Sequence, residues 1–187
     1  RVDKPSGPTS HDVVDVLRRQ FRFRKAGHGG TLDPQATGLL VILTGCGTKL
    51  SERFMSGDKV YEGTMKLGVS TDSYDAQGKI LKENDCSGIT KEQVEAEMRK
   101  RTGDMMQTPP MVSAVKVDGV PLYKMARKGK VVEREARLIH VYEFRLDRFE
   151  LPRADFTLRC TKGTYVRSLC HDIGEVLGCG AHLERLR

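Results

Sequence analysis

Residues 27–38 read GHGGTLDPQATG, and this stretch says more about the fold than any other part of the chain. Four glycines, a histidine, an aspartate and a proline within twelve residues predict a tightly turned loop whose backbone can approach a ligand closely. Asp33 precedes Pro34, which favours extended backbone and places the carboxylate at a turn. The apolar run at 38–43 predicts a buried strand directly afterwards. A Walker A loop is excluded, because it requires Gly-Lys-Ser/Thr followed by a helix.

On either side of this loop, helix and strand signals follow one another without a regular βα repeat. Capping boxes at residues 9–12 and 90–93 predict two helix starts, and a third helix is predicted from Arg167 to Leu177, closed by Gly178. Alternating or β-rich segments predict strands at 58–67, 115–120, 138–149 and 154–160. We therefore expect an α+β fold with a mixed, largely antiparallel sheet flanked by helices and loops. One domain should cover residues 1–187, with residues 105–137 as an excursion from the sheet.

The net charge of +7 is concentrated in two segments. Residues 18–25 contain five basic side chains and no acidic one, and residues 116–137 carry a net charge of +4, partly on a short helix predicted between Pro121 and Gly129. The remaining 157 residues have a net charge of −2. Two concentrated basic patches favour a phosphate-backbone ligand, although charge alone is equally compatible with a solvated basic face.

Cysteine usage and hydropathy exclude several classes of protein. The five cysteines are an odd number without a regular framework, so reduced thiols in the cytoplasm are the simplest interpretation. No Cys-x-x-Cys pair occurs, and Cys179-x-x-His182 alone does not predict zinc, so we expect no metal. No apolar run approaches the ~20 residues that a membrane-spanning helix requires, and the first residues lack the apolar core of a signal peptide.

Several short motifs occur in a characteristic order along the chain. They are VDKPSGPTS at 2–10, GHGGTLDPQATG at 27–38, KVY at 59–61, KGTYVR at 162–167, and GCGAH at 178–182 followed by Leu-Arg at the end. Together they resemble the TruB family of pseudouridine synthases, over residues 2–187. The resemblance implies the pseudouridine synthase fold and isomerisation of uridine 55 in the T loop of tRNA, without metal or organic cofactor.

The same resemblance implies roles for individual residues. Asp33 matches the catalytic carboxylate, which attacks the ribose C1′ or the uracil ring, or abstracts a sugar proton. Arg167 matches the arginine that pairs with this carboxylate, and its rigid fork suits a carboxylate. Tyr61 matches the tyrosine that stacks on the target base and helps to remove its C5 proton. Tyr165 and Leu186 match further residues that line the uracil.

RNA contacts are implied in three more places. His28 matches the histidine that fills the space left by the flipped nucleotide, and its neighbour Gly29 is at a variable position to which we attach no functional change. Residues 105–137 match an inserted RNA-clamping hairpin, and their basic charge supports that role independently. We expect residues 18–25 to contact the RNA backbone nearby.

The expected assembly is a monomer that binds the T arm of tRNA without an obligate protein partner and without a membrane. Because the chain starts at Arg1 and stops at Arg187, we expect a piece of a longer protein that lacks the family's C-terminal RNA-binding segment. Three alternatives remain: a guide-RNA-dependent catalytic subunit that acts on rRNA, a non-catalytic RNA-binding module, and a structural protein with a basic face. The GCGAH segment and the long basic insert favour the stand-alone tRNA enzyme over the first, and the intact site disfavours the other two.

Overall fold

The computed structural model of the chain describes residues 1–113, 115–117, 119–122, 125 and 132–187. Its strands are Val2–Lys4 (β1), Ala26–His28 (β2), Gly38–Leu40 (β3), Ile42–Thr44 (β4), Lys59–Leu67 (β5), Val69–Thr71 (β6), Ile80–Glu83 (β7), Gly103–Gln107 (β8), Lys116–Val117 (β9), Val120–Pro121 (β10), Arg137–Glu150 (β11), Arg153–Cys160 (β12) and Ala181–Leu186 (β13). Its α-helices are Ser10–Gln20 (α1), Ser51–Met55 (α2), Lys91–Lys100 (α3) and Val166–Val176 (α4), and a 3₁₀ helix at Gly45–Leu50 precedes α2.

A five-stranded antiparallel sheet in the order β13–β5–β12–β11–β8 forms the centre of the fold. The alternation predicted for β5 is present, and its inward side chains Met65 and Leu67 are buried. Helix α3 packs on β11 and α4 packs on β13. Val94 and Met98 on α3, and Leu169 and Ile173 on α4, are four residues apart, so each pair faces the sheet from one side of its helix. The predicted α+β class with a largely antiparallel sheet is confirmed.

Both predicted capping boxes are present. Thr9 Oγ1 accepts a hydrogen bond from the backbone N of Asp12 at 3.1 Å, and Asp12 Oδ2 accepts one from the backbone N of Thr9 at 2.8 Å. Thr90 and Gln93 make the equivalent pair at the start of α3. Each cap stabilises its helix by about 1 kcal/mol, because it satisfies donors that the first turn leaves unpaired.

The apolar run at 38–43 is not the single buried strand that its length predicts. It is divided into β3, which pairs with β1, and β4, which pairs with β2. Leu39 is 64 % exposed between the buried Gly38 and Leu40. The prediction was wrong because an apolar run does not reveal that its two halves have different partner strands, each only three residues long. The loop at 29–37 therefore connects two short strands, β2 and β3, that pair with different partners.

Strand β13 was not predicted, and it completes the sheet beside β5. Leu186 on β13 lies opposite Gly63 on β5. A side chain at Gly63 would overlap the ring of Phe156 on the neighbouring strand β12, so a glycine is required for this close packing. The pairing of β13 with β5 brings Leu186 within two strand positions of Tyr61.

The chain leaves the sheet after Gln107 and returns at Arg137, at the edge formed by β8 and β11. Within this excursion β9 and β10 form a short hairpin around Gly119, which has a φ of 78°, as the Asp-Gly turn predicts. The basic helix predicted between Pro121 and Gly129 lies mostly outside the described residues. The structure therefore places the ends of the excursion but leaves most of its positive side chains undescribed.

Candidate active site

A cavity of about 280 Å³ brings together most of the residues singled out in the sequence. Asp33, Tyr61, Tyr165, Arg167 and Leu186 all line it. They come from the loop after β2, from β5, from the start of α4 and from β13, so four separate parts of the chain meet at one concave site.

The loop that carries Asp33 is held by the first ten residues of the chain. Ser10 Oγ donates to the carbonyl of Leu32 at 3.2 Å and accepts from its backbone N at 2.9 Å. The Lys4 side chain is fully buried, and its Nζ donates to the carbonyl of Pro34 at 2.9 Å. The backbone on both sides of Asp33 is therefore fixed by side chains far away in sequence.

Arg167 connects Asp33 to a second carboxylate, Asp75. Its Nε lies 3.0 Å from Asp33 Oδ2, and its Nη1 lies 3.3 Å from Asp75 Oδ2. Its Nη2 lies 3.5 Å from Asp33 Oδ1, and its remaining hydrogen bonds go to the backbone carbonyls of Ser73 and Val112, at 3.2 and 3.0 Å. A buried guanidinium whose donors are all used has one orientation, so the edge that faces Asp33 is fixed.

The environment of Asp33 raises the pKa of its carboxyl above the ordinary value. The largest cause is desolvation by the surrounding wall, although the side chain itself remains 36 % exposed. Arg167 and Lys4 oppose the shift by attraction, whereas Asp75 adds to it by repulsion. Asp33 is thus an accessible carboxylate whose charge is balanced by neighbours of both signs.

Tyr61 contributes a ring and a protonated hydroxyl. Burial raises the pKa of Tyr61 beyond its ordinary range, and the nearby Asp33 adds to the shift. Its hydroxyl is therefore held as a neutral phenol beside the carboxylate. Tyr61 lies on β5, two positions before Gly63, which pairs with Leu186, and Leu186 is 9 % exposed.

Tyr165 is positioned by a glutamine of the sheet edge. Its backbone N donates to Gln107 Oε1 at 2.7 Å, and its carbonyl accepts from Gln107 Nε2 at 3.0 Å. Gln107 is only 4 % exposed. Its side-chain amide therefore pairs with the backbone of Tyr165 away from solvent, at the end of strand β8. Tyr165 is also the residue that precedes α4, so this pair fixes the point at which the helix carrying Arg167 begins.

His28 lies apart from the other predicted site residues, since it is on β2 and does not line the cavity. Its ring is half-buried, and desolvation lowers the pKa of the imidazole, which favours the neutral form. Its Nδ1 is buried, and no residue that the structure describes makes a hydrogen bond to it. The adjacent Gly29 is buried against Phe54, whose Cβ would lie 2.6 Å from a Cβ at that position.

Two residues of the site were not singled out by the sequence. Asp75 lies in the turn-rich segment STDSYDAQGK, where an aspartate is typical of a loop, and its burial depends on an arginine 92 positions later. Gln107 ends an edge strand, where a polar side chain is typical of solvent exposure. In both cases the missing signal is the distant partner.

A second, larger groove of about 860 Å³ lies on the sheet, and Glu62, Arg145, Asp155 and Arg187 are among its lining residues. Only Leu186 among the predicted site residues reaches it, and Asp33, Tyr61 and Arg167 do not. The smaller cavity is therefore the candidate active site, because it holds Asp33 together with Tyr61 and the buried Arg167. In the described ranges we find no cluster of three or more His, Cys, Asp or Glu side chains arranged to hold a metal ion, and no helix long and apolar enough to cross a membrane.

Comparison with models of protein families identifies the family of the chain. A model described as the TruB family pseudouridylate synthase N-terminal domain matches residues 18–166, and one described as the tRNA pseudouridylate synthase B C-terminal domain matches residues 167–187. The chain belongs to the TruB family of pseudouridylate synthases. TruB-family relatives named tRNA pseudouridine synthase B include proteins of Opitutus terrae, 57 % identical over 186 residues, and Geobacter sulfurreducens, 50 % identical over 186 residues. The chain matches over its full length but spans 77 % of the first relative and 61 % of the second.

Solved structures similar to this TruB-family chain include a Cbf5-Nop10-Gar1 complex, with a TM-score of 0.77 and 31 % identity. Another is an H/ACA RNP bound to a substrate RNA containing 2'-deoxyuridine, with a TM-score of 0.72 and 27 % identity. Each match covers 99 % of this chain, and 46 % and 44 % of the respective neighbours. The expected pseudouridine synthase fold is confirmed by these neighbours together with the family match.

Proposed function

We propose that this protein isomerises uridine 55 in the T loop of tRNA to pseudouridine, with Asp33 as the essential group. The observation that carries the proposal is the ion pair of Asp33 with the buried Arg167, at 3.0 Å, inside a cavity that Tyr61, Tyr165 and Leu186 also line. The names of the relatives supply the class of substrate, tRNA. The choice of uridine 55 and the role of Asp33 come from the sequence resemblance.

The chemistry exchanges one glycosidic bond for another. The N1–C1′ bond breaks, a C5–C1′ bond forms, C5 loses a proton and N1 gains one, so the product is an isomer and no external reactant is consumed. A carboxylate can attack C1′, attack the uracil ring or take a proton from the sugar, and all three roles need the ionised form. Arg167 favours that form by its charge, against the desolvation that opposes it.

The target base has to leave its stack before it can reach Asp33. Flipping a nucleotide out of folded RNA costs a few kcal/mol, which stacking and hydrogen bonds inside the enzyme must offset. The Tyr61 ring supplies a stacking surface at the cavity wall. Lys59 and Lys162 also line the cavity and are suited to the phosphates that enter with the nucleotide.

His28 and the inserted segment serve the RNA that surrounds the target. A neutral, half-buried imidazole outside the cavity can stack in the space that the flipped nucleotide leaves. The clamping role of the insert rests on its positive charge in the sequence, since Lys124, Arg127, Lys128 and Lys130 lie outside the described residues. Neutralising these four side chains should weaken RNA binding and reduce its dependence on salt.

The decisive experiment incubates the protein with a T-arm stem–loop that contains a single target uridine and measures pseudouridine. Asp33→Asn should bind the RNA but form no product, because only the reactive carboxylate is lost. Arg167→Lys should be severely impaired, because an ammonium cannot contact Asp33 and Asp75 from one plane. Asp147→Asn and Arg153→Lys are matched controls in surface ion pairs outside the cavity. Wild-type product formation by Asp33→Asn would contradict the proposal.

The guide-RNA-dependent alternative is less favoured. The relatives named tRNA pseudouridine synthase B are 46–57 % identical to this chain, whereas the Cbf5 and H/ACA structures are 27–31 % identical. A stand-alone enzyme should modify the stem–loop as a monomer, without guide RNA or protein partner. Activity that appears only after guide RNA and partner proteins are added would replace the proposal with this alternative.

A reducing compartment suits the thiols of the chain. All five cysteines are free, and Cys160, Cys170 and Cys179 are buried, where oxidation would disturb the packing. We therefore place the protein in the cytoplasm, where tRNA is also found. Fractionation that recovers the protein with cytoplasmic tRNA would support this location.

A further inference from the structure

The segment between α1 and β2 is exposed along its whole length. We call residues 18–25, with the sequence RRQFRFRK, the basic–aromatic segment. All eight of its residues are exposed. Phe21 is 56 % and Phe23 is 37 % exposed, two aromatic side chains close together just after helix α1. Two exposed aromatic rings in one basic segment form a candidate contact surface for a ligand.

The two phenylalanine rings face each other. Their centroids are 5.7 Å apart and their planes differ by 25°, so they form a stacked pair and not two separate side chains. A stacked pair with free surface is a rigid platform, because each ring limits the rotation of the other. Such a platform suits a flat ligand, since every nucleobase has a π face that can stack on it.

Positive charge surrounds this pair. Arg18 is engaged by Asp15 at 3.1 Å, but for Arg19, Arg22, Arg24 and Lys25 the described part of the chain supplies no acidic partner within ion-pair distance. Cations interleaved with aromatic rings match a polyanion with exposed bases, which is the chemistry of RNA.

The backbone of Arg22 adds an independent observation. Arg22 has a φ of 54°, in the left-handed region where glycine is usual at the end of a helix. The turn is closed by hydrogen bonds from Arg22 N to the carbonyl of Arg19 and from Phe23 N to that of Arg18, at 3.3 and 3.0 Å. An arginine here is less stable than a glycine would be, and strain of this kind is typical of functional positions.

The segment also lies close along the chain to His28, the residue expected to contact the RNA beside the target. Phe23 is five residues before His28, so their Cα atoms are at most about 18 Å apart even along a fully extended chain. An RNA loop held at His28 and Asp33 therefore passes within a few nucleotides of the phenylalanine pair.

We propose that the basic–aromatic segment binds the substrate RNA, with its cations on phosphates and one unpaired base of the T loop stacked on Phe21 and Phe23. This inference rests on the proposed function, because it takes the T-arm stem–loop as the ligand. The sequence alone predicts only contacts between the basic side chains of residues 18–25 and the RNA backbone. The inference adds a stacking contact between one base and the two phenylalanine rings.

Affinity for the stem–loop, measured as a function of salt in the Asp33→Asn background, tests the two contributions separately. Phe21→Leu with Phe23→Leu should weaken binding about fivefold or more and leave the salt slope unchanged, since stacking involves no counterion release. Replacing both rings by tyrosine should restore affinity. Arg24→Gln should reduce the salt slope by about one. Tyr142→Leu is the matched control, because Tyr142 is an exposed aromatic residue on β11 that lies beside Arg159 of β12.

Arg22→Gly gives the sharpest readout, because the two expected effects have opposite signs. Glycine suits the left-handed backbone, so the melting temperature should not fall, whereas RNA affinity should fall and the salt slope should drop by about one. A structural role for Arg22 would instead lower the melting temperature and leave affinity unchanged.

Several results would overturn the inference. Unchanged affinity after loss of both rings would remove the platform, and loss of affinity only with whole tRNA would place the contact outside the T loop. Self-association that depends on Phe21 and Phe23, with RNA affinity intact, would assign the surface to a second copy of the chain. Failure of the proposed function is recognised separately, as product formation by Asp33→Asn.

Discussion

Arg167 and Asp75 form a buried ion pair at 3.3 Å, in which both side chains are at most 6 % exposed. The same guanidinium contacts Asp33 through its other edge. Asp75 therefore has no direct access to the substrate side of Asp33, but it fixes the plane in which Arg167 meets it. A carboxylate with this function acts by positioning, and its loss should affect the rate more than binding.

Asp75→Asn removes the charge of the pair while keeping the shape of the side chain. Arg167 then has one carboxylate instead of two, and we expect kcat to fall by about a hundredfold with little change in KM, which is typical of a small misplacement of a catalytic group. Single-turnover kinetics on the stem–loop would measure this. Arg145, which lies between Glu143 and Asp147 on the surface, offers a control, since Asp147→Asn removes one of two carboxylates from an exposed arginine. An equal fall in both variants would contradict the positioning role.

The pH dependence of the reaction should reflect the raised pKa of Asp33. The proposed function requires the Asp33 carboxylate, so the rate should increase with pH through a value above that of an ordinary aspartate. Lys4→Met removes an attraction that lowers the pKa, so the acid limb should move to higher pH. Asp75→Asn removes a repulsion that raises it, so the acid limb should move to lower pH. Pre-steady-state rates between acidic and neutral pH would detect the two opposite displacements; displacement in one common direction would contradict this account of Asp33.

Gln107→Met should weaken both stability and substrate binding. The variant keeps the length of the side chain but leaves the backbone N of Tyr165 without its partner, which costs about 1–3 kcal/mol of unfolding free energy. The Tyr165 carbonyl loses the Gln107 donor and keeps those from the backbone N of Ser168 and Leu169. KM for the stem–loop should rise, because Tyr165 lines the cavity. Denaturant unfolding and steady-state kinetics measure the two effects, with the exposed Gln77→Met as control. Loss of stability without a change in KM would separate Gln107 from the site.

Gly29→Thr should destabilise the loop before Asp33 through contact with Phe54. The backbone of Gly29 lies outside the left-handed region, so the limit is space and not conformation. A new Cβ would meet Phe54 Cβ at 2.6 Å, and overpacking of this kind costs about 1–3 kcal/mol. Phe54→Gly, which removes that Cβ, should relieve the contact, so that the double variant is less destabilised than the sum of the two single variants. A double-mutant cycle by thermal unfolding would check this, and strictly additive effects would refute the coupling.

The features that the sequence predicted well are local ones. The capping boxes at Thr9 and Thr90 need only residues within one helical turn, and the alternation of β5 needs only its own side chains, so both could be read before any tertiary contact was known. The family resemblance extended this to distant motifs, and Asp33, Tyr61, Tyr165, Arg167 and Leu186 do lie around one cavity.

What the sequence did not predict depends on partners that are remote along the chain. The run at 38–43 was misread because β1 and β2 each take half of it. Asp75 and Gln107 have ordinary loop and edge-strand surroundings, and only their contacts with Arg167 and Tyr165 distinguish them. Without those contacts, a buried carboxylate is indistinguishable from a turn residue.

The contacts that close the site also determine when it can exist. Arg167 is 134 residues from Asp33, and Leu186, whose carbonyl accepts from the backbone N of Thr37, is 149 residues from that residue. A ribosome takes on the order of ten seconds to add that many residues, and pairings over such separations form late in folding. A nascent chain therefore presents the GHGGTLDPQATG loop long before its partners are made, and the cavity around Asp33 is incomplete until β13 has been synthesised and has joined the sheet.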